Sequence, residues 1–455
     1  MRHEEGGRNI KMESMNFTEG KILSPLMKFA VPVLAALLLQ SLYGAVDLLV
    51  VGQFSNPANV SAVATGSQII QTLTFVITDI AVGMTVFLGQ LIGEGKRDMA
   101  GKVIGAGIAL FIVVGVIVTV LMELAADGIS GVMKAPKEAF AQTSAYIRIC
   151  SGGTIFIIAY NVLGSIFRGI GNSKVPLITV SIAAVFNIFG DLLFVAVFHM
   201  GAAGAAYATV ISQALSVLLS FRMIRKMGLP FSFSVADIRF DRTLIGKILS
   251  IGIPVAVQDL LVSISFLIIM SIVNAIGVIA SAGVGVAEKL CAFIMLVPSS
   301  FMQSMSAFVA QNYGAGKPER ALKALRAGIV VSFCCGLFLG WISFFHGDLL
   351  SSIFSKDADV IAASADYLKA YSIDCLFTAF LFCFNGFYNG IQQTKFIMFQ
   401  GIIGAFCVRV PVSYLMSLQK PVSLFRIGLA TPCSTLLQIT LCFIYLAYLR
   451  RKSYI

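Results

Sequence analysis

Two carboxylates, an amide and a hydroxyl are the side chains of this sequence whose types and spacing could bind a proton or a cation. Asp47 lies in the apolar stretch SLYGAVDLLVVG, and Asp191 lies in VFNIFGDLLFV. If these stretches are helices in a bilayer, an ionised side chain at mid-span costs roughly 2.5–3.5 kcal/mol, so each acid needs a reason to be there. Asn187 precedes Asp191 by four residues and therefore shares its helix face. With Thr209 in the next apolar stretch, these oxygen atoms could form a site for a proton or for Na⁺.

The overall composition indicates that these stretches lie in a membrane. The 455 residues are 58% hydrophobic and only 12% charged, and the mean hydropathy is +0.91. Soluble domains carry about 25% charged residues, so we expect an integral membrane protein. The net charge of +11 lies mainly between the apolar stretches, where anionic lipid headgroups, not nucleic acid, are the expected partners. The nine Cys residues lie almost wholly in apolar stretches and are interpreted as packing residues, not as a disulfide framework.

Stretches of about 20 apolar residues, the length that crosses a bilayer, number twelve and divide evenly between the two halves of the sequence. Those of the first half lie near residues 25–51, 61–90, 103–126, 144–167, 175–198 and 204–221. Those of the second half lie near 248–272, 279–310, 327–345, 367–388, 396–418 and 428–449. We therefore predict an all-α membrane protein of two six-helix bundles, an N-lobe (1–221) and a C-lobe (248–455), joined by a cytoplasmic linker (222–247).

The distribution of basic residues predicts the orientation of the chain. Most of the 33 Lys and Arg residues lie in the N-terminal segment, in alternate connections and in the tail 450–452. The positive-inside rule then places both termini in the cytoplasm of a cell-membrane protein. In this orientation Asp47 and Asp191 both lie in the outer half of the membrane, and Thr209 lies at a similar depth. The alternative is that each of these side chains is a structural hydrogen-bonding group between helices.

The sequence matches itself when it is shifted by 221 residues. The segment QLIGEGK, which begins at Gln90, falls on QNYGAGK, which begins at Gln311. Further on, residues 168–170 fall on 389–391, and Pro32 falls on Pro254 with one residue of slip. A duplicated half in so apolar a chain indicates a secondary transporter, which handles its substrate between two repeats. Because each half has an even number of spans, the halves should be related by a pseudo-two-fold axis along the membrane normal.

The acidic pair exists only in the first half. The positions that correspond to Asp47 and Asp191 are near Ile269 and Val412. Duplication alone would not produce that asymmetry. It indicates that the N-terminal half is specialised for coupling transport to the binding of a proton or cation. Other charged residues within the apolar stretches could line a cavity or pair with one another, although each could equally be structural: Asp79, Asp259, Glu288, Lys289, Asp374 and Arg409.

The order and spacing of several segments resemble the multidrug and toxic compound extrusion (MATE) family over nearly the whole chain. The resemblance rests on Pro32, Gln40 and Val46-Asp47, on Gln90 with the GEGKR turn, on residues 167–172 (FRGIGN), on Asn187 with Asp191, and on residues 204–209 (GAAYAT). It implies two six-helix lobes that form a V-shaped cavity. It also implies a transporter, not an enzyme, that exports organic cations and other amphiphiles by alternating access, driven by H⁺ or Na⁺ and without a cofactor.

Within that family, the DinF-like branch is the one that this sequence resembles. Asp47, Asn187, Asp191 and Thr209 match the proton or cation site of its N-lobe, where Na⁺ could also bind, and Tyr146 and Asn161 are weaker matches on the fourth span. The NorM-like branch also uses carboxylates in the seventh and tenth spans. Here Asp259 and Asp374 are misplaced for that pattern, and Asn385 lies nearer the tenth-span position, which favours coupling in the N-lobe.

Two other classes of protein are alternative interpretations of this sequence. A lipid-linked oligosaccharide flippase of the same superfamily would often have extra helices and a strongly basic cavity, whereas only Lys289 and Arg409 are clear intramembrane bases here. An intramembrane enzyme would need a catalytic motif, but there is no HExxH and no DDxxD, and His3, His199 and His346 lie at the termini or at span ends. We expect a monomer whose partners are small amphiphilic or cationic substrates and membrane lipids.

Overall fold

The protein is built from helices. The computed structural model describes residues 15–452, and within this range it contains no strands. The first half comprises α1 (Leu23–Phe54), α2 (Pro57–Gly93), α3 (Arg97–Val132), α4 (Phe140–Gly152), α5 (Thr154–Ile170), α6 (Lys174–Asp191), a π-helical turn (Leu192–Val197) and α7 (Gly201–Met227). After a 3₁₀ turn (Val235–Asp237), the second half comprises α8 (Arg242–Asn274), α9 (Val278–Ile294), α10 (Leu296–Gly314), α11 (Pro318–Phe345), α12 (Gly347–Ser352), α13 (Ala358–Gly390), α14 (Thr394–Ile402), a π-helical turn (Ile403–Arg409), α15 (Val410–Ser417), α16 (Leu424–Gly428) and α17 (Ala430–Arg451).

The helices confirm the predicted all-α membrane fold. Over the described residues, eleven helical stretches are long and apolar enough to cross a bilayer, and the bent pair α4–α5 makes a twelfth span. That fourth span was expected to be continuous over residues 144–167, but its two helices meet at an angle of 53° around Gly153. A Cβ atom at Gly153 would collide with the side chain of Val210 on α7, so the glycine allows the close approach at the bend.

The chain divides by its internal packing into two compact units. Of the described residues, the first unit contains Met15, Asn16 and residues 35–249, and the second contains residues 17–34 and 250–452. The sequence had assigned all of 1–221 to the first lobe, whereas the beginning of α1 packs with the second half of the chain. The predicted linker, 222–247, contains the end of α7, the 3₁₀ turn and the start of α8.

The hydrophobic core of the first unit lies among α2, α3 and α5. It includes Met84 and Leu88 of α2, Val103 of α3 and Ile166 of α5, all of them buried. The start of α8 joins this core through Ile248. A second cluster lies next to it and combines side chains of α1, α2, α4 and α7: Val51, Val63, Tyr146, Cys150, Ala205 and Ala206. This second cluster surrounds the polar residues described in the next section.

Local sequence explains where the helices of the first unit begin and end. Between α1 and α2, Asn56 caps α2 by accepting a hydrogen bond of 3.0 Å from the backbone of Asn59, and Pro57 follows at the first helical position. Between α5 and α6, Gly171 ends α5 with φ of 86°, a conformation that favours glycine. The side chain of Asn172 then accepts hydrogen bonds of 3.1 Å from the first backbone N–H groups of α6. The FRGIGN segment is therefore a tight helix-to-helix connection.

The second unit is organised around α13, the most buried of its long helices, which packs against α9, α10, α11 and α17. Close approach between α13 and α10 depends on Gly386, where a Cβ atom would lie 2.7 Å from Cβ of Met305. The buried residues of α13 form a core with α8 and α9 that includes Ile269, Ala287, Tyr367 and Leu368.

The segment before α1 completes the second unit. Phe17 is fully buried, and its ring lies 5.3 Å from that of Phe29 and 5.0 Å from that of Phe308. Arg320, in the first turn of α11, donates hydrogen bonds of 2.8–3.2 Å to the backbone carbonyls of residues 17, 19, 20 and 21. Asn312 donates another of 3.1 Å to the carbonyl of Phe17. An aromatic anchor and a charged donor thus hold the beginning of α1 in this unit.

Candidate functional site

Three helices of the first unit bring Asp47, Asp191 and Thr209 to one place. Asp47 lies on α1, Asp191 is the last residue of α6, and Thr209 lies on α7. The hydroxyl of Thr209 donates a hydrogen bond of 3.3 Å to Oδ2 of Asp47, across 162 residues of sequence. The carboxylate of Asp191 and the amide of Asn187 adjoin the Asp47 carboxylate. The structure therefore brings together the four residues that the sequence grouped as a proton or cation site.

Small residues explain how α6 and α7 come so close at this point. Gly190 and Ala208 immediately precede Asp191 and Thr209 in the sequence. A Cβ atom at Gly190 would lie 2.9 Å from Cβ of Ala208, which is tighter than ordinary van der Waals contact. The glycine thus allows the backbones of α6 and α7 to approach closely beside the polar side chains. Directly after Asp191, the α-helix changes to a π-helical turn, a local departure that often marks functional positions.

The side chains of the site are buried, and several of their polar atoms have no hydrogen-bond partner. Asp47 is 5% exposed, Asn187 1% and Asp191 0%. Oδ1 of Asp47, both oxygens of Asp191 and both polar atoms of Asn187 are buried without a partner. Burying such groups unpaired is costly, and buried polar groups in proteins are normally satisfied by a partner. These atoms therefore point to a ligand that binds them.

The charge of the site indicates which ligand it can take. Two ionised carboxylates about 4 Å apart repel each other by roughly 4 kcal/mol even at an effective dielectric constant of about 20. A proton on either carboxylate, or a small cation among the oxygens, removes this repulsion. Oxygen ligands suit hard cations such as Na⁺ as well as a proton. Among residues 15–452, no group of three or more His, Cys, Asp or Glu side chains could hold a metal ion, so a cation here would also need the amide and hydroxyl oxygens.

Tyr146, one of the weaker candidates, lies beside the site, whereas Asn161 does not belong to it. Tyr146 is buried within electrostatic range of both Asp47 and Asp191, and its ring fills the space left by Gly66 of α2. Asn161 donates a hydrogen bond of 2.8 Å to the carbonyl of Ile157 and accepts one of 3.1 Å from Thr78. These bonds give Asn161 a structural role between α2 and α5.

Sequence reasoning assigned no role to a group of polar side chains that extends from the site. Tyr43 lies one turn before Asp47 on α1 and is within electrostatic range of it. Gln40 lies on the same face and donates a hydrogen bond of 2.6 Å to the hydroxyl of Tyr160 on α5. The spacing of Gln40, Tyr43 and Asp47 at intervals of three and four residues was the available signal, because it places all three on one helix face.

The charged candidates of the second half all lie in the second unit. Arg409 is buried, donates a hydrogen bond of 3.0 Å to Ser265 and lies 4.4 Å from the ring centre of Phe266. Asp374 is also buried and within electrostatic range of Arg409, but the two form no ion pair shorter than 4.0 Å over the described part of the chain. The remaining candidates are Glu288, which is half-buried, Asn385, which accepts a hydrogen bond of 3.2 Å from Gln400, and Asp259, which is half-buried on α8.

The fold and the site together define a class of protein. Twelve apolar spans and two homologous halves, the first of which holds a buried pair of adjoining carboxylates, are typical of a secondary transporter. The MatE family model matches residues 32–193 and, a second time, residues 254–415. The chain therefore belongs to the MATE family of membrane transporters, and the two matches confirm that its halves are repeats of one unit.

Several known proteins are similar to this chain over nearly its whole length. "Probable multidrug resistance protein YpnP" of Bacillus subtilis is 27% identical over 97% of this chain and 98% of its own length. "Probable multidrug resistance protein NorM" of Thermotoga maritima is 24% identical over 90% of this chain and 88% of its own length. Among solved structures, that of a MATE protein in the bent conformation has a TM-score of 0.90 at 19% identity and covers 98% of this chain and all of that one. A MATE structure in the outward-facing conformation gives 0.89 at 19% identity, covering 96% of this chain and 97% of that one. The structural likeness confirms the fold.

Proposed function

We propose that this protein is a cation-coupled antiporter that exports small amphiphilic or cationic compounds by alternating access, and that Asp47 and Asp191 bind the coupling ion. One observation carries the proposal: the two buried carboxylates adjoin each other, and three of their four oxygens have no hydrogen-bond partner. The restriction of this acidic pair to one of two homologous halves supports a functional role, because a purely structural pair would be expected in both.

The proposed substrate class is inferred from the names of proteins that are similar to this chain. YpnP and NorM are named as multidrug resistance proteins, and MepA of Staphylococcus saprophyticus, 23% identical over 88% of this chain and 88% of its own length, is named as a multidrug export protein. Membership of the MATE family agrees with these names. We extend the export of varied organic compounds to this chain on that basis, together with placement in the cell membrane, both termini in the cytoplasm, a monomeric state and assignment to the DinF-like branch.

The proposed mechanism uses the coupling ion to change the charge of the buried site. An ion can drive a conformational cycle only when it binds with different affinity to the two states. With both carboxylates ionised, the site disfavours close packing of α1 against α6 and α7. A proton or Na⁺ between Asp47 and Asp191 removes that repulsion and lets α1 repack. The hydroxyl of Thr209 orients the Asp47 carboxylate for this exchange because it donates to one of its oxygens.

Transport by purified protein in liposomes tests the proposal. Efflux of ethidium is measured under an imposed pH gradient and, separately, under an imposed Na⁺ gradient. Asp47→Asn fixes the side chain in a neutral form, so it should abolish efflux that either gradient drives. Asp127→Asn is the matched control, because Asp127 is exposed on α3 and forms only a surface ion pair of 2.7 Å with Arg148. Wild-type efflux by the Asp47→Asn protein would refute coupling at this site.

A further inference from the structure

A line of hydroxyl and amide groups leads away from Asp47 toward the end of α5. Gln40, Tyr43 and Asp47 follow one another along one face of α1, and Tyr160 faces them from α5. The coupling site described above uses none of the other three side chains. Each of them is half-buried, so the line is neither part of the closed core nor fully open to the surroundings.

The best-defined link in this line joins Gln40 to Tyr160. Nε2 of Gln40 donates to the hydroxyl oxygen of Tyr160 at 2.6 Å. Because that oxygen already accepts a hydrogen bond from Gln40, the phenol O–H of Tyr160 remains free to donate elsewhere. Tyr43 is within electrostatic range of both Tyr160 and Asp47. The phenols of Tyr43 and Tyr160 thus lie between the carboxylate of Asp47 and the C-terminal end of α5.

Arg168 ends this line. It lies two helical turns after Tyr160 on the same face of α5, and helical side chains lean toward the N-terminus of their helix. Gly164 lies between them, where a Cβ atom would be only 3.3 Å from Nη1 of Arg168. The missing side chain therefore lets the guanidinium lie back along α5, where it donates a hydrogen bond of 2.8 Å to Ser165 and is within electrostatic range of Tyr160.

The second repeat has no such line. The position that corresponds to Tyr160 is Leu381, and the position that corresponds to Arg168 is Asn389. With the one-residue slip of the first span, Gln40 and Tyr43 correspond to Val262 and Ser265. The polar line therefore occurs only in the half that carries the acidic pair, so it is not a requirement of the fold.

We propose that Tyr43 and Tyr160 form the route by which a proton leaves Asp47, that Gln40 holds Tyr160 in line, and that Arg168 stabilises the charge at the end of the route. The inference rests on the proposed function and narrows its coupling ion to a proton. It also rests on the positive-inside orientation, in which the connection 168–174 between the fourth and fifth spans, with Arg168 and Lys174, lies at the cytoplasmic face. This end of the line is then the side of release.

The transfer balances in protons and charge. The phenol of Tyr160 gives its proton to water, and the resulting phenolate is stabilised by the neighbouring Arg168 cation. Tyr160 then takes the proton of Tyr43, and Tyr43 takes the proton of the Asp47 carboxylic acid. One proton has reached water, both phenols are neutral again, and one negative charge remains on Asp47.

Ionisable groups on α1, α4, α5 and α6 lie within electrostatic range of Asp47 or Tyr160. Around Asp47 these are Asp191 on α6 and Tyr146 and Cys150 on α4. Around Tyr160 they are Tyr43 on α1 and Arg168 on its own helix. Arg168 is thus the fixed positive charge near the phenols, and its removal should slow the step that makes Tyr160 anionic.

The test follows proton release from Asp47 without any transported substrate. After a rapid upward pH jump, time-resolved infrared spectroscopy of the purified full-length protein records the loss of the protonated-carboxyl band, and the part of the band that Asp47→Asn abolishes is assigned to Asp47. We expect Tyr160→Phe to slow this loss by about 100-fold or more while the amplitude of the band at equilibrium is unchanged. Tyr207→Phe is the matched control, because Tyr207 is on α7 of the same unit and 42% exposed.

The variants of Arg168 separate a charge effect from a packing effect. Arg168→Gln should slow the loss of the Asp47 band, whereas Arg168→Lys, which keeps the charge, should restore most of the wild-type rate. A Tyr160→Phe rate equal to that of Tyr207→Phe overturns the proposed route, and so does a Tyr160→Phe protein that loses the equilibrium band. If the protonated-carboxyl band is the same in Asp47→Asn as in the wild type, Asp47 does not carry the proton and the proposed coupling site is wrong.

Discussion

The hydroxyl of Thr209 donates a 3.3 Å hydrogen bond to the carboxylate of Asp47, and it links the first helix of this transporter to the last helix of its first half. The opposite oxygen of the same carboxylate has no partner. Asp47 is therefore oriented on one side and available on the other. This arrangement suits a group that must bind and release an ion without losing its position.

Removal of the Thr209 hydroxyl should weaken coupling without unfolding the protein. Thr209→Val has nearly the same shape but leaves Oδ2 of Asp47 without its donor, and a hydrogen bond to a charged group is worth about 1.5–3 kcal/mol. We expect gradient-driven efflux to fall by about tenfold or more. Efflux from liposomes checks this expectation, and Thr209→Ser should retain most of the activity.

The control for this change is Thr72→Val. Thr72 is exposed on α2, and its hydroxyl donates only to the carbonyl of Gln68 within the same helix, at 2.9 Å. The variant should transport like the wild type. Equal losses in Thr72→Val and Thr209→Val would show that the hydrogen bond to Asp47 has no special role.

The packing of α6 against α7 should be sensitive to a single methyl group. Gly190→Ala adds a Cβ atom 2.9 Å from Cβ of Ala208, so the helices must separate and carry Asp191 away from Thr209. Overpacking of this kind costs about 1–3 kcal/mol. We expect a lower melting temperature and slower efflux.

Gly128→Ala provides the comparison for that variant. A Cβ atom at Gly128, on α3 of the same unit, would meet nothing within 4 Å. Alanine is the better helix former, so this change should leave the melting temperature unchanged or raise it slightly. If the two alanine variants melt alike, the close approach of α6 and α7 does not limit stability.

Hydropathy was sufficient to predict the twelve spans, because length and apolar character are the physical requirements for crossing a bilayer. It could not predict the bend in the fourth span. The local signal for the bend was the glycine pair Gly152-Gly153, which hydropathy does not register. The contact between Gly153 and Val210 of α7 is a tertiary one, and hydropathy does not report it either. Nor could hydropathy predict the packing of residues 17–21. Arg320 binds the backbone carbonyls of this segment, and because every residue has such a carbonyl, the side chains of the segment do not reveal the contact.

The candidate site was predictable in part for an equally physical reason. Buried aspartates are conspicuous in an apolar sequence, and Asn187 and Thr209 were found by their spacing and depth relative to them. Tyr43 and Tyr160 escaped notice because tyrosine is common in membrane helices. Arg168 escaped because its position at the end of α5 resembles that of an ordinary loop cation. Only the helix packing reveals that its side chain lies back toward Tyr160.

The anchor of the segment before α1 gives a prediction about stability. Phe17 is fully buried between Phe29 and Phe308, so Phe17→Ala should cost about 3–5 kcal/mol of the free energy of unfolding. Thermal melting of the purified protein measures the effect. Phe54→Ala, at a position on α1 that is 52% exposed, should change the melting temperature little. A Phe17→Ala protein as stable as Phe54→Ala would contradict the packing described for this segment.

The comparison of Asp47 with Asp259 tests which half of the chain carries the coupling. Both are aspartates in the first helix of their repeat, on α1 and α8, but Asp47 is buried beside a second carboxylate whereas Asp259 is half-buried and lies in the other unit. Asp47→Asn keeps the size of the side chain and removes its ability to change charge. It should abolish efflux under a pH or Na⁺ gradient while expression and substrate binding persist.

Asp259→Asn makes the same chemical change outside the proposed site, so its effect on efflux should be milder. Both variants are measured in one liposome preparation series with ethidium, and binding of ethidium to the purified proteins is measured separately by fluorescence. Loss of efflux with retained binding in Asp47→Asn separates failed coupling from failed folding. If instead Asp259→Asn abolishes efflux and Asp47→Asn transports at the wild-type rate, the coupling lies in the second unit. Asp374 and Arg409, which are buried there within electrostatic range of each other, then become the groups that bind or respond to the ion.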